Sequence, residues 1–517
     1  MRSIDFFDRA AQFYPDRTCF HDGEQGHSYR AVQEMTHRIA NGLLAGGLEK
    51  EAKVAVYSPN SVLAFECVLG ILRAGATWVP VNARSSVDDN VYILNASDCE
   101  WLFYHSSLET HIERIKTGVP GICGLVCIDG EGKDAPSFDS WVSAFSAPAP
   151  FIAQDRDDVA ILASSGGTTG VPKGVMLTHN NVETFICNFI TCMPYSEPPV
   201  NLVVAPITHA AGYLTLALLA CGATNVIMAK VDLLKIMENI EKFKVTTLFL
   251  PPTVIYMLLA HPKVRDFDYS SLRYFLYGAA PTAVDKLKEA IEVFGPAMAQ
   301  GYGQTEALAM CLFLSPDEHL VIGDPDEEKR LWSCGRAALC TQVEIMDDEG
   351  HLLGPNEEGE IVMRGNNIMK GYYKNPEQTE EASRFGWHHT GDMGYKDEDG
   401  YLYIVDRKRD MIITGGFNVY SIEVERAVLA HPAVQDCAVV GVPDEKWGEA
   451  IKAVIEVKPG MQVDEAELMA FCREKIGGVK APKSVEIWDA LPRSAVGKVL
   501  KKEVRKKFWE GRERMVG

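Results

Sequence analysis

Residues 164–174 read Ser164-Ser165-Gly166-Gly167-Thr168-Thr169-Gly170-Val171-Pro172-Lys173-Gly174, a glycine- and hydroxyl-rich loop set between the apolar runs 159–163 and 175–177. Short apolar runs on either side of such a loop predict strand, loop, strand. Glycines tolerate positive φ and let backbone N–H groups come close to a ligand. Together with hydroxyls and a lysine, those N–H groups suit a chain of phosphates. A Walker loop needs Gly-Lys-Ser/Thr in direct succession with a helix behind it, whereas here Pro172 precedes Lys173 and an apolar run follows. The same residues also fit a plain surface hairpin, since Gly, Ser and Thr are common turn formers.

A loop of this kind needs a rigid frame, and the flanking sequence supplies a βαβ rhythm. Residues 53–57 read as a strand, 61–74 as a helix and 76–81 as a strand. After the loop come a strand at 200–205, a helix at 210–220 and a strand at 226–228. A helix at 235–243, a strand at 246–250 and a helix at 253–260 follow. Strands alternating with helices predict mostly parallel, doubly wound sheets, which bind ligands at the carboxyl ends of their strands. From about residue 335 the texture changes to short strands and turns, at 343–346, 348–350 and 359–364, predicting an antiparallel β subdomain at about 335–405. The charged run Asp406-Arg407-Lys408-Arg409-Asp410 separates two apolar segments and is a candidate hinge before a small α+β unit. The expected fold is therefore α/β. Residues 1–408 form a large N-terminal region of doubly wound sheets plus the β subdomain, and 409–517 form a small mobile C-terminal domain.

At 517 residues the chain is long enough for several domains, and its net charge of −20 disfavours nucleic acid and anionic membranes as partners. An anionic ligand therefore needs a local positive pocket. Thirteen cysteines without paired zinc spacings, and a start (Met1-Arg2-Ser3-Ile4-Asp5) without a signal-peptide core, predict a cytoplasmic protein. No run reaches the length of a transmembrane segment, and the stretch 210–220 reads as a buried helix.

Five further segments carry chemistry. Tyr277-Gly278-Ala279-Ala280-Pro281 and Gln300-Gly301-Tyr302-Gly303-Gln304-Thr305-Glu306 each follow a predicted strand. Trp387-His388-His389-Thr390-Gly391-Asp392 precedes a predicted β turn. Gly415-Gly416-Phe417-Asn418 lies just past the candidate hinge, and Pro492-Arg493-Ser494-Ala495-Val496-Gly497-Lys498 lies near the end. Taken in this order, the segments resemble those of the adenylate-forming superfamily of acyl-CoA synthetases, peptide-synthetase adenylation domains and luciferases. The resemblance runs essentially from end to end.

That resemblance implies a reaction in two steps and a role for each segment. A carboxylate attacks the α-phosphate of ATP, giving an acyl-adenylate and pyrophosphate, and a thiol then displaces AMP to give a thioester. The first step brings anions together, so neutralising charge is the main task. Lys498 is implied as the catalytic lysine, Thr305 as a contact to the α-phosphate and Glu306 as the carboxylate for Mg2+. The glycine loop, with Ser165, Gly167, Thr168, Thr169, Gly170 and Lys173, is implied to hold the outer phosphates. Gly278, Ala279, Ala280 and Pro281 would wall the adenine, with Gln300, Gly301, Tyr302 and Gly303 beside it. Asp392 would accept from the ribose hydroxyls, Arg407 would brace the ribose or phosphate, and Arg409 is implied as the hinge residue. Gly415, Gly416 and Phe417 would meet the pantetheine arm of CoA during the second step.

Ala205-Pro206-Ile207-Thr208-His209-Ala210-Ala211-Gly212 resembles the acyl-site stretch of CoA ligases, which implies His209, Gly212, Tyr213 and Ala307 as acyl neighbours. A lone His beside an apolar helix is equally a core residue. No acid occurs at 200–229, which argues against an amino-acid substrate, and the surrounding residues are apolar. Medium- or long-chain fatty acids are the first expectation, with aryl or arylalkenyl acids as the alternative. ATP, Mg2+ and CoA are the implied cofactor and co-substrates. A separate carrier protein in place of CoA, and a homodimer, stay open.

Overall fold

The computed structural model describes residues 1–165, 172–280, 282–321, 325–407, 410–415, 417–444, 446–494 and 497–509; the side chains of residues 325, 326, 407 and 418 lie outside that description. Two large sheets dominate. The first has seven strands, in the order Gly371–Tyr372, Gly174–Thr178, Val159–Ser164, Thr77–Asn82, Lys53–Ser58, Cys99–Tyr104 and Gly124–Cys127. The second has nine, in the order Arg336–Ala337, Leu312–Leu314, Met298–Tyr302, Tyr274–Gly278, Thr247–Phe249, Val200–Val203, Thr224–Ile227, Thr18–His21 and Gly26–Ser28. Pairing is parallel through the middle of each sheet; the second sheet is antiparallel at both edges, and the first only at the edge carrying Gly371–Tyr372, since Gly124–Cys127 pairs parallel at the other. All of Thr77–Asn82 is buried, as a strand covered on both faces must be.

Local chemistry explains where the helices begin. Ser61 caps Val62–Arg73 by accepting from the Ala64 N–H at 3.1 Å, and Asp232 does the same for Leu233–Phe243 through the Lys235 N–H. The helix Ala210–Ala220 links two strands of the second sheet, while its Tyr213 meets Trp78 of the first sheet edge-on, with ring centroids 6.2 Å apart. Sandwiched in this way it is buried almost all round, which is why its sequence has no polar face. Asn60 braces the carboxyl ends of both sheets. Its Nδ2 donates to the Ala205 carbonyl at 2.9 Å and the Met228 carbonyl at 3.2 Å, and its Oδ1 accepts from the Ile207 N–H at 3.0 Å.

The stretch after residue 335 contributes a four-stranded antiparallel sheet, Thr341–Met346, Gly359–Gly365, His388–Lys396 and Leu402–Arg407. One piece leaves it: Gly371–Tyr372 adds to the first sheet beside Gly174–Thr178. The C-terminal unit has a five-stranded sheet of its own, helices Ser421–Leu429 and Glu465–Lys480, and a separate core around Ile412, Val439, Ile451 and Leu468. It joins the rest through Tyr420 Oη donating to Glu358 at 2.8 Å, Arg426 over the Trp332 ring, and Ser421 Oγ donating to the buried Asp406 at 3.0 Å. No helix of the described residues is long and apolar enough to cross a membrane.

One buried acid is used by none of this architecture. Glu66, on Val62–Arg73, is 2% exposed, and its Oε1 lies 3.9 Å from His27 Nδ1. Burial pushes its carboxyl up to about 8 from 4.5. A raised carboxyl pKa favours the folded chain in the protonated state, so this contribution is complete below pH 4.5 and is lost as pH rises through about 8. Glu66→Gln is therefore expected to gain up to about 5 kcal/mol over the natural chain at pH 9 and nothing at pH 4. Urea unfolding at both pH values measures this, and a gain that does not depend on pH would contradict it.

Candidate active site

The site begins where two parallel strands of the second sheet end. Tyr274–Gly278 and Met298–Tyr302 run in register, with Gly278 opposite Gly301. A Cβ on Gly278 would stand 2.3 Å from the Gly301 carbonyl oxygen, so only glycine lets the strands close here. The following loops carry non-glycine residues with positive φ, Ala279 at 64°, Leu308 at 46° and Ala309 at 70°. Such strain persists where surrounding structure fixes it and collects at functional sites. Gly303 is equally constrained, since a Cβ there would meet the Ala309 carbonyl oxygen at 1.8 Å. Gln300, Gly301 and Tyr302 lie within the strand instead of after it, because Leu312–Leu314 pairs antiparallel with them and extends the ladder.

Asp392, 7% exposed, lies in His388–Lys396 and faces this strand end. Its Oδ2 accepts from Tyr302 Oη at 2.6 Å and from Gln304 Nε2 at 3.2 Å. Gln304 is held by three groups. Its Nε2 also donates to the Thr390 carbonyl at 2.8 Å, and its Oε1 lies 3.3 Å from His388 Nε2. Burial drops the His388 ring to about 4, so it is neutral and its Nε2–H donates a hydrogen bond to Gln304 Oε1. Burial pushes the Tyr302 phenol well up, and the Asp392 charge adds to the shift, so Tyr302 stays a donor. Arg407 stands directly opposite Asp392 across the next strand pair.

Just past Gln304, Thr305–Ala307 forms a short turn whose anchor comes from the other sheet. Tyr372 Oη donates to Glu306 Oε1 at 3.0 Å, and the Met369 N–H donates to the Glu306 carbonyl at 2.7 Å. The Lys173 ammonium sits 4.6 Å from the centroid of the Tyr372 ring. Lys173 is tied back to the loop base, its N–H donating to Ser165 Oγ at 3.1 Å and its carbonyl accepting from the Ser165 N–H at 2.8 Å. Ser165, Lys173, Thr305 and Glu306 thus meet at one seam with Asp392 and Tyr302. Ala307 is fully buried behind them, its carbonyl accepting from Asn367. Gln300 lies further down its strand, accepting from Tyr277 Oη at 3.2 Å.

His209 starts the buried helix, with Nε2 3.1 Å from Asn82 Nδ2. Burial lowers its ring to about 4. Gly212 is required one turn on, since a Cβ there would lie 1.8 Å from the Ile207 carbonyl oxygen. Gly415 and Phe417 form a hairpin on the C-terminal unit. There the Gly415 N–H donates to the Trp447 carbonyl at 2.8 Å, and Phe417 is exposed. Lys498 belongs to that unit too, in a turn closed by Ser494: the Ser494 N–H donates to the Lys498 carbonyl, and the Lys498 N–H donates to Ser494 Oγ at 3.2 Å. Gly167, Thr168, Thr169, Gly170, Pro281, Arg409 and Gly416, and the Arg407 side chain, lie outside the described residues. Tyr372, Asn60 and Asn82 shape the site without any signal in the sequence.

Residues 7–373 match the AMP-binding enzyme family, and 423–498 match the AMP-binding enzyme C-terminal domain. A feruloyl-CoA synthase of Amycolatopsis is 36% identical over 502 residues, covering 97% of this chain and 98% of that protein. A medium/long-chain-fatty-acid–CoA ligase of Mycobacterium tuberculosis is 40% identical over 379 residues, covering 72% of this chain and 65% of that protein. Among solved structures, the amide bond synthetase McbA of Marinactinospora thermotolerans superposes with a TM-score of 0.89 at 28% identity, covering 98% of this chain and all of that one. The chain belongs to the AMP-binding, adenylate-forming enzymes, in their AMP-forming acyl-CoA synthetase branch.

Proposed function

We propose that this chain joins an arylalkenoic acid of the hydroxycinnamic class to CoA, with medium- or long-chain fatty acids as the second substrate class. The convergence of Asp392, Tyr302, Gln304, Glu306 and Lys173 at one seam carries the nucleotide half of this reading. The aryl preference is supported by a feruloyl-CoA synthase matching over nearly its whole length, whereas the fatty-acid relative matches over 72% of this chain. Tyr213, packed edge-on against Trp78 behind a run of small residues, fits a flat apolar body. CoA is the acceptor in this reading, and a carrier protein's pantetheine arm is the alternative.

In the first step a carboxylate oxygen of the acid bonds to the α-phosphorus, the bond from that phosphorus to the bridging oxygen breaks, and pyrophosphate leaves. Lys498 would bridge the carboxylate and α-phosphate, and Thr305 would donate to that phosphate. Lys173 and the loop with Thr168 and Thr169 would hold the outer phosphates. Asp392, braced by Tyr302 and opposite Arg407, would take the ribose hydroxyls. Gly278 to Pro281 would line the adenine. In the second step the CoA sulfur bonds to the acyl carbon, the acyl–phosphate bond breaks, AMP leaves and the thiol proton passes to solvent. Gly415, Gly416 and Phe417 would then replace Lys498 at the seam by rotation about Arg409.

Among the described residues, no three His, Cys, Asp or Glu side chains gather to hold a metal. Mg2+ needs no such group when one carboxylate and substrate phosphates bind it. Glu306, fixed through one oxygen by Tyr372, fits that mode, and the ion would neutralise phosphate charge.

AMP release from ATP and Mg2+, with and without CoA, tests the reading across ferulic, coumaric, benzoic, fatty and amino acids. CoA-dependent release fastest with the cinnamic acids is expected. Release with fatty acids alone would reverse the substrate ranking, and silence with every acid would refute the ligase. Tyr302→Phe removes the donor to Asp392 and keeps the ring. It is expected to raise KM for ATP roughly tenfold and leave KM for the acid within about twofold. Steady-state kinetics in both substrates measures this, and an unchanged KM for ATP would contradict the role given to Asp392.

A further inference from the structure

Asn82 ends a buried strand of the first sheet, and its side-chain amide makes two bonds. Oδ1 accepts from the Arg84 N–H at 2.9 Å, and Nδ2 lies 3.1 Å from His209 Nε2. The first bond decides the second. Turning the amide over would set its NH2 against the Arg84 N–H, donor against donor, so the group facing His209 is the NH2. An NH2 only donates, so His209 Nε2 accepts, and the ring proton of a neutral imidazole must sit on Nδ1. Asn82 is itself held, since its carbonyl accepts from the buried Asn90 Nδ2 at 3.0 Å. Burial keeps the His209 ring uncharged at neutral pH. Beside it, the Thr208 hydroxyl is buried with no hydrogen-bond partner among the described residues.

We propose that Asn82 is a positioning residue for the acid half of the site, holding His209 as the Nδ1–H form so that the ring offers the bound acyl group a neutral donor. The proposal rests on the reading of His209 as a wall of the acyl pocket. A neutral donor orients a substrate oxygen and leaves the carboxylate its nucleophilic electron pair. An imidazolium in the same place would form an ion pair with the carboxylate and weaken its attack on phosphorus.

Long-range 1H–15N NMR of 15N-histidine-labelled protein at pH 7 reads the ring directly, with His209→Gln identifying the His209 signals. The natural chain is expected to show a protonated Nδ1 and a bare Nε2. Asn82→Asp keeps an acceptor for the Arg84 N–H and sets a carboxylate against Nε2. The ring is then expected to carry protons on both nitrogens, and KM for the acid is expected to rise roughly tenfold with KM for ATP unchanged. Asn82→Leu, a second variant, is expected to raise KM for the acid without charging the ring. A proton on Nε2 in the natural chain, or an equal loss toward acid and ATP in both variants, overturns the proposal and leaves the ligase reading standing. A ring that becomes charged in Asn82→Asp with no change toward the acid also overturns it, by removing His209 from the acyl pocket.

Discussion

A single carboxylate oxygen ties together two sheets that share no strand. Asp392 Oδ2 takes hydrogen bonds from Tyr302 and Gln304, at the end of one strand of the large second sheet, while Asp392 itself belongs to the four-stranded β subdomain. A buried carboxylate without donors is costly, so these two elements cannot part without exposing or stranding a charge. Gln304 extends the tie through Thr390 and His388, and Glu306, two residues further on, is fixed by Tyr372 from the first sheet. The seam is thus a junction of three sheets, each contributing polar side chains that the others satisfy. Rigid elements hold the side chains that meet there, which suits a reaction whose catalysis is mainly placement of charge.

The C-terminal unit is attached differently. It has its own apolar core and meets the larger region through a few polar contacts, of which the buried cluster around Asp406 is the most developed. Ser421 donates to Asp406 from the start of a C-terminal helix, and Lys501 reaches both Ser421 and Glu425, at 2.7 and 2.9 Å. Asp410, the last residue of the candidate hinge run, is paired with Arg505 at 2.8 Å. A unit with a separate core and a polar attachment can turn as one body, whereas an apolar interface would resist. The proposed two-step reaction would use such freedom, because Lys498 and the hairpin of Gly415 and Phe417, to which it gives the phosphate and the thiol respectively, sit on different parts of that unit.

What could be read from the sequence follows from what is local. The hairpin around the glycine loop was legible because short continuous apolar runs flank it, and the helix 210–220 because its apolar run has no polar face. The βαβ order gave the parallel sheets, although not their number or strand order. Three segments were placed less well. Tyr277 and Gly278 were expected after a strand and end the strand Tyr274–Gly278 itself, paired in parallel with Gln300 and Gly301. Gln300, Gly301 and Tyr302 were expected after a strand and lie within it, because an antiparallel neighbour from residues 312–314 prolongs the ladder. His388 to Asp392 were expected just before a turn, yet they open a strand that runs on to Lys396, and the turn comes at residues 397–400. Asn60, Asn82 and Tyr372 were not legible at all. Each is a lone polar residue whose partner lies far along the chain: 145 residues for Asn60 and Ala205, 127 for Asn82 and His209, and 66 for Tyr372 and Glu306. No local pattern encodes such a meeting, and only the folded sheets create it.

The most direct measurement separates the two half-reactions in one variant. In Lys498→Ala, acid-dependent ATP–pyrophosphate exchange reports adenylate formation, and conversion of supplied acyl-adenylate with CoA reports thioester formation. Exchange is expected to fall by at least about a hundredfold while thioester formation continues at close to the natural rate. Equal loss of both activities would contradict a seam served in turn by two faces of one mobile unit.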